Sequence, residues 1–385
     1  MKIIMTTDAI HCPLTGIGRY AFELFAGLRQ HSNVKEIKAL AHGRWVADPL
    51  FTSEQAQDSL QEKNSLRKKL ASSQTAVWAY SKLMPAICGW RLRQNHEALL
   101  FSPNYLLPAG PSKKVATFHD MSVHDHPDFH PPARVALIMR ELPKTLRRAD
   151  FLIVDSDFTK TRVLDHFDWP KERIHTVHLG VNHAFFNAAK GIAASQALKA
   201  LQIDSGHYTL CVATIEPRKN IDRLLAAYRC LPSTVRESCP LVLVGDRGWN
   251  SEATHKAIKA GRAEGWLRYA GYLPEDQLAI VMANCALFVF PALYEGFGLP
   301  VLEAMACGVP VLCSDLPSVR EFAGDSIRYM EACSVESITA ALDAALSNSG
   351  WLLEAGVLAE TQSRPYSWQR TVDQMVDVLS MVHRS

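Results

Sequence analysis

Residues 294–317 read YEGFGLPVLEAMACGVPVLCSDLP. They follow the strand-like run 286–291, ALFVFP, and place Glu295 and Glu303 on either side of a Gly-Phe-Gly turn and the start of an apolar helix. A strand, a glycine-rich turn, a helix N-terminus and a second apolar run thus succeed one another closely. In a parallel α/β sheet this order opens a crevice at the carboxyl end of the strand, where backbone N–H groups at the helix start meet an anion. A phosphorylated ligand is the first expectation.

Working outward, the 385 residues are 48% hydrophobic and 21% charged, an ordinary globular composition with length for two domains, each with its own core. A formal net charge of +2 is too mild for a nucleic-acid partner. Nine cysteines are scattered without a C-x-x-C pair or a histidine at zinc-finger spacing, which argues against a disulfide framework and a structural metal and for a reducing cytosol. The N-terminal MKIIMTTDAIHCPL is too polar for a signal peptide, and no run of about 18 apolar residues occurs. The expected location is cytoplasmic.

Along the chain, strand-like runs alternate with helical patterns. Residues 2–6 (KIIMT) lead to a loop and a helix whose stripe begins at Tyr20, Leu24 and Leu28. Gly16, Gly18 and Arg19 sit at its entry, either admitting a ligand phosphate or sugar, with Arg19 supplying charge, or forming a plain helix-entry turn. Residues 61–94 are basic and amphipathic, from Lys63 through Arg67, Lys68 and Lys69 to Arg93, with Trp78 and Trp90 interleaved. Such a segment either lies on anionic headgroups or presents a solvated face. Strands are expected at 99–103, at 114–118 ending in His119-Asp120, and at 151–155 followed by Ser156 as a helix N-cap. His124, His126 and His130 are set among Pro127, Pro131 and Pro132, which suggests an irregular loop rather than a metal site. Texture changes over 184–207, and a second β-α series runs through 208–215, 240–244 and 267–270 to the opening stretch. The expected division is an N-terminal domain of 1–185, on which the terminal helix 368–385 packs back, and a C-terminal domain of 186–367.

Four signals share one address, the strand ends. They are the Gly16/Gly18 turn, His119-Asp120, the run Glu216-Pro217-Arg218-Lys219-Asn220, and Glu295 to Glu303. Arg218 and Lys219 in a strand-to-helix turn suit a diphosphate. Glu295 suits the hydroxyls of a sugar and Glu303 a diol such as ribose, because a carboxylate accepts paired O–H donors.

The run EGFGLPVLEAMACGVPVLCSD resembles the E-x7-E signature of the retaining glycosyltransferases called group 1, and seven residues do separate Glu295 from Glu303. The resemblance extends to the glycine-containing N-terminal loop, His119-Asp120, TIEPRKN, the lead-in GYLPEDQLAIVMANCALFVFP and YSWQRT. It implies α/β architecture with two facing Rossmann-like domains (GT-B) and an interdomain cleft. It also implies Lys219 at the diphosphate, Glu295 at the donor sugar, Glu303 at the ribose, His119 near the reacting sugar, and Phe297, Gly298 and Leu299 at the sugar-phosphate junction. Gly16 and Gly18 fall on the donor side of this scheme, Arg19 and Asp120 on the acceptor side. Where many members have Gly-Arg before the lysine, this chain has Ala213-Thr214, so Arg218 is the expected second cation.

The implied reaction moves a hexose, mannose or rhamnose from a GDP-sugar by the similarity of EPRKN to bacterial polysaccharide enzymes, to a glycan or polyprenyl-linked glycan with retention. No cofactor is expected, and with no D-x-D at a strand end the cations take the place of a metal. A lipid-linked acceptor would bring the basic segment into peripheral contact with the inner membrane. Rivals are a glycan phosphorylase, which would need a pyridoxal phosphate lysine, a nucleotide-sugar 2-epimerase, which lacks the E-x7-E block, and a non-catalytic sugar-nucleotide-binding partner of an assembly complex.

Overall fold

A computed structural model of the chain describes residues 1–12, 14, 16–50, 87–110, 112–190 and 194–384. Residues 61–86 of the basic amphipathic stretch lie outside the described residues. The chain divides into two compact units, one of Met1–His124, Pro132–Gly180 and Trp368–Ser385, the other of Asp125–Pro131 and Val181–Ser367. The second unit takes over at Val181 because that residue's N–H donates to the Tyr366 carbonyl and bridges to Ser367. The change of texture near 184–207 lies just beyond this point.

The first unit is built on β1 (Lys2–Thr6), β2 (Glu36–Ala41), β3 (Arg44–Val46), β4 (Leu99–Ser102), β5 (Lys114–Phe118), β6 (Phe151–Val154) and β7 (Ile174–Thr176). Their order is β3-β2-β1-β4-β5-β6-β7, parallel except for the β2–β3 hairpin. The central strands are short apolar runs buried on both faces, as helices on either side of a parallel sheet require. One core joins Ile4, Leu100, Ala116, Leu152 and Val154 of the strands to Ile138, Leu142 and Val163 of the helices Pro132–Arg148 and Asp157–His166. Ser156 caps the latter helix, its hydroxyl accepting from Thr159 N–H at 3.0 Å. Helix Gly16–Gln30 packs on the final helix Trp368–Arg384 at Gly27, where a Cβ would stand 2.4 Å from Val372 Cγ2. The approach of those helices depends on glycine. Gly16, Gly18 and Arg19 form the first turn of the Gly16–Gln30 helix rather than a loop before it; neither glycine has a positive φ, so local backbone geometry does not demand one.

The second unit carries β8 (Thr209–Val212), β9 (Leu241–Val244), β10 (Leu267–Gly271), β11 (Leu287–Phe290), β12 (Val311–Ser314) and β13 (Arg328–Met330). All are parallel, in the order β10-β9-β8-β11-β12-β13. Strand order reverses between β8 and β11, as it does between β1 and β4 in the first unit. Each sheet therefore has a topological switch point, where loops leave neighbouring strand ends in opposite directions and a crevice opens. The loops at the β8/β11 switch are the ones that carry Arg218, Lys219 and Glu295.

Candidate active site

After β8 the chain makes a tight turn at Pro217–Lys219 and places Asn220 in the left-handed region (φ 58°, ψ 31°) before the helix Ile221–Cys230. Asparagine tolerates that conformation better than most residues. Its buried amide donates to the Pro291 carbonyl at 3.0 Å and the Ala332 carbonyl at 2.7 Å, and its Oδ1 accepts from Arg223 at 2.8 Å. Leu293 N–H donates to the Arg218 carbonyl at 2.9 Å. The loop after β8 is thus tied to the loop after β11, and their side chains converge.

Lys219 Nζ hydrogen-bonds Glu295 Oε1 and stands 5.4 Å from the centre of the Phe290 ring. Arg218 Nε donates to Glu216 Oε1 at 3.1 Å, and its Nη1 lies 3.6 Å from Glu295 Oε2. These four side chains are only 15% exposed for Arg218, 11% for Lys219, 10% for Glu295 and 3% for Glu216. Two cations and two carboxylates balance, which makes the burial of each tolerable. An anion reaching the cations would compete with Glu295 for Lys219 and so free a carboxylate for hydroxyl donors. Charge-assisted bonds to a diphosphate are the natural replacement.

The turn beyond Glu295 is equally determined. Ser318 Oγ donates to the Glu295 carbonyl at 2.8 Å, and Phe297 packs on Phe322 with ring centres 4.9 Å apart. Gly298 has φ +102°, and a Cβ there would lie 2.8 Å from Val319 Cγ2. Helix Leu299–Ala306 starts at this glycine with no acidic residue in its first turn, leaving its positive end unopposed by a carboxylate of its own. Glu303 is buried in the same helix, 4% exposed. Tyr294, next to Glu295, donates its hydroxyl to Asp125 at 2.7 Å, within the second unit.

In the first unit, three neighbouring strand ends form a second constellation. His119 follows β5, Asp155 follows β6 and Pro103 follows β4. His119 Nδ1 meets Asp155 Oδ2 at 2.7 Å, and Nε2 meets the Pro103 carbonyl at 2.8 Å. Burial alone would lower the His119 pKa, but the Asp155 charge and these two hydrogen bonds outweigh it and hold the imidazole above its ordinary value. Tyr20 presents its ring to His119 edge-on at 4.8 Å and bonds Thr117 through its hydroxyl at 2.9 Å. Asp120 accepts from both the N–H and the hydroxyl of Ser122 and so shapes the following turn. Arg19 lies in the helix that carries Tyr20.

Arg218, Lys219 and Glu295 therefore cluster, with Phe297, Gly298, Leu299 and Glu303 on the adjoining turn and helix. Gly16, Gly18, Arg19, His119 and Asp120 all belong to the first unit. Asp155 and Pro103 were not among the expected site residues, and Glu216 and Asn220 entered only as the ends of the run that carries the two cations. Glu216 and Asn220 flank the two cations in sequence, and Asp155 ends an apolar run just before a helix cap; those positions were their only signals. The histidines near residue 126 pack on rings: His124 by His166 and Phe167, His126 on Phe129 and Tyr294, His130 by Trp249. Among the described residues no group of three or more His, Cys, Asp or Glu is placed to hold a metal ion. No helix among them is long and apolar enough to cross a membrane.

Two Rossmann-like units, with cations at one switch point and an E-x7-E pair beside them, define a glycosyltransferase of the GT-B type. Residues 196–358 match the model described as glycosyl transferases group 1, and residues 51–185 match that of glycosyltransferase family 4. Over 383 residues the chain is 35% identical to the O-antigen chain mannosyltransferase B of Escherichia coli, covering 99% of this chain and 100% of that one. The chain belongs to the group 1 glycosyltransferases. Its fold is similar to that of HepE from Anabaena, solved with UDP and glucose, at a TM-score of 0.71 and 14% identity over 99% of each chain. It is also similar to WaaG, a glycosyltransferase involved in lipopolysaccharide biosynthesis, at 0.73 and 17%, covering 98% of this chain and 99% of that one.

Proposed function

We propose that the chain transfers mannose from a nucleoside diphosphate mannose, GDP-mannose by preference, to a hydroxyl of a growing O-antigen glycan, with retention at the anomeric carbon and without a divalent metal. The observation that carries the reading is the convergence of Arg218, Lys219 and Glu295 at the β8/β11 switch point. The full-length likeness to an O-antigen mannosyltransferase supports mannose as the sugar. In the transfer the bond from the anomeric carbon to the diphosphate breaks and its electron pair leaves with the phosphate oxygen. The acceptor oxygen bonds to the same face of that carbon, and its proton passes to the departing diphosphate. Lys219 and Arg218 oppose the leaving charge; one preorganised donor of this kind is worth about 2.7–4 kcal/mol of barrier. Glu295, exchanged from Lys219, holds sugar hydroxyls, and Glu303 accepts from the ribose diol. A polyprenyl-linked acceptor would bring the enzyme to the cytoplasmic face of the inner membrane.

The test is transfer from GDP-mannose to an O-antigen glycan primer by purified protein, with NMR of the product's anomeric configuration and a parallel reaction in EDTA. Lys219→Ala and Glu295→Gln are each expected to lower kcat/KM by roughly 10²–10³-fold. Full activity in both variants would sink the assignment of the site. Inversion in the product, or loss of transfer in EDTA restored by a divalent cation, would overturn the corresponding part of the mechanism.

A further inference from the structure

His119, expected near the reacting sugar, has neither ring nitrogen available. The Pro103 carbonyl is only an acceptor, so Nε2 must carry a proton to bond it at 2.8 Å. Nδ1 faces a carboxylate oxygen of Asp155 at 2.7 Å, and a second proton lies on that line. Asp155 is 2% exposed, and its other oxygen has no hydrogen-bond partner among the described residues. A carboxylate buried in that way is costly unless a positive charge stands against it, and the imidazole is the group that contacts it. The sheet order fixes the arrangement, because β4, β5 and β6 are adjacent and each contributes the residue just after its last strand position.

We propose that Asp155 is a positioning residue that keeps His119 protonated on both nitrogens, so that His119 serves glycosyl transfer as a fixed cation at the end of β5 and not as a proton acceptor. The proposal rests on the reading of the chain as a transferase with His119 at its reacting sugar. It assigns deprotonation of the acceptor elsewhere, to the departing diphosphate. Burial raises the Asp155 pKa and the His119 contact opposes that shift; Asp120 adds negative charge beside the ring and raises it further, and His178 acts to lower it. Tyr20, from helix Gly16–Gln30, offers a ring edge, with its hydroxyl turned to Thr117. Thr159 donates to the His119 carbonyl at 3.4 Å. Of these, Asp155 alone bonds a ring nitrogen through its side chain.

The experiment is nitrogen NMR of the full-length protein labelled at histidine, with the His119 ring assigned by its loss in His119→Gln. Both nitrogens are expected to be protonated at pH 7.5 in the wild type and to lose a proton well above the range of a free histidine. In Asp155→Asn the midpoint should fall by at least about one pH unit, the least expected of an opposite charge in contact. Asp155→Glu should restore it, and if the asparagine variant does not fold the protonation state of the wild-type ring carries the test. The sign in the transfer assay follows: kcat is retained below the His119 pKa and lost as pH rises through it, so Asp155→Asn moves that loss to lower pH with the donor KM little changed. An unprotonated nitrogen in the wild type, or a kcat profile that Asp155→Asn leaves in place, would overturn the proposal. The NMR arm needs neither donor nor acceptor, so failure of the pairing and failure of the transferase reading are scored separately.

Discussion

Replacing Asn220 by alanine tests whether the two loops at the β8/β11 switch are held by one buried side chain. The native residue combines a left-handed backbone with donors to the Pro291 and Ala332 carbonyls and is 4% exposed. Alanine in that conformation costs about 1 kcal/mol or somewhat more. Each carbonyl left without its donor in a buried position adds roughly 1–3 kcal/mol, at the lower end where the loops relax. The expected loss is about 3–5 kcal/mol for Asn220→Ala and about 1 kcal/mol less for Asn220→Gly, which removes the same bonds but accepts the backbone. Urea unfolding followed by tryptophan fluorescence measures both, and the difference between the variants isolates the backbone contribution. Because Lys219 precedes Asn220 and Glu295 lies four residues past Pro291, slackening the tie also misplaces the ion pair. Displacements of about 1 Å at a reacting site cost on the order of 10²-fold, so a fall in kcat/KM of at least about tenfold is expected in both variants. Unfolding midpoints and kcat/KM within error of the wild type would refute the reasoning, and equal losses in the two variants would refute its backbone part.

Gly298→Ala puts a Cβ 2.8 Å from Val319 Cγ2 at φ +102°, a conformation that only glycine enters without strain. A loss of about 1–3 kcal/mol and weaker donor binding are expected, measured by thermal melting and by titration with GDP. Thiol chemistry gives an independent reading of burial. Of the described cysteines, Cys230 and Cys333 are exposed, whereas Cys88, Cys211, Cys239, Cys285, Cys307 and Cys313 are buried. Burial pushes the Cys211 thiol up to about 12, and the Glu331 hydrogen bond raises that of Cys333. At pH 8 a disulfide reagent should modify Cys230 first, Cys333 more slowly and the buried six only in denaturant, as mass spectrometry of timed digests would register.

The interior strands were legible because a strand buried on both faces is written as a short apolar run: FLIV for β6, LVLV for β9, LFVF for β11. The strands at and beside the β3 edge, and β13, carry less of that mark. β2 reads EIKALA, and β3 and β13 are three residues each, RWV and RYM. The β2–β3 hairpin turns on His42 and Gly43, both at positive φ, a turn that Asn-Gly would have announced and His-Gly does not. Prolines hid the helix Pro132–Arg148. Pro132 occupies its first position, where a missing N–H costs nothing, yet beside Pro127 and Pro131 it reads as loop.

The site divides along the same physical line. Arg218, Lys219 and Glu295 declare themselves because a charged side chain in the loop after an apolar strand is unusual, and Glu303 because it is an acid inside an apolar helix; in each the chemistry is written in the residue type. The partners that fix their positions do not. Asn220 matters for a backbone angle and two carbonyls, Pro103 for a carbonyl that every residue possesses, and Asp155 for a neighbour 36 residues earlier in the chain. Their roles follow from which strands lie side by side, β4-β5-β6 in one sheet and β8-β11 in the other. That order is set by crossover connections, which composition and periodicity do not encode. A motif thus names charged groups by their type, while lateral strand order decides what holds them. Variants at Asp155 and Asn220 probe that second layer; loss of transfer with Lys219, Glu295 and Glu303 all intact would show it to be as necessary as the motif.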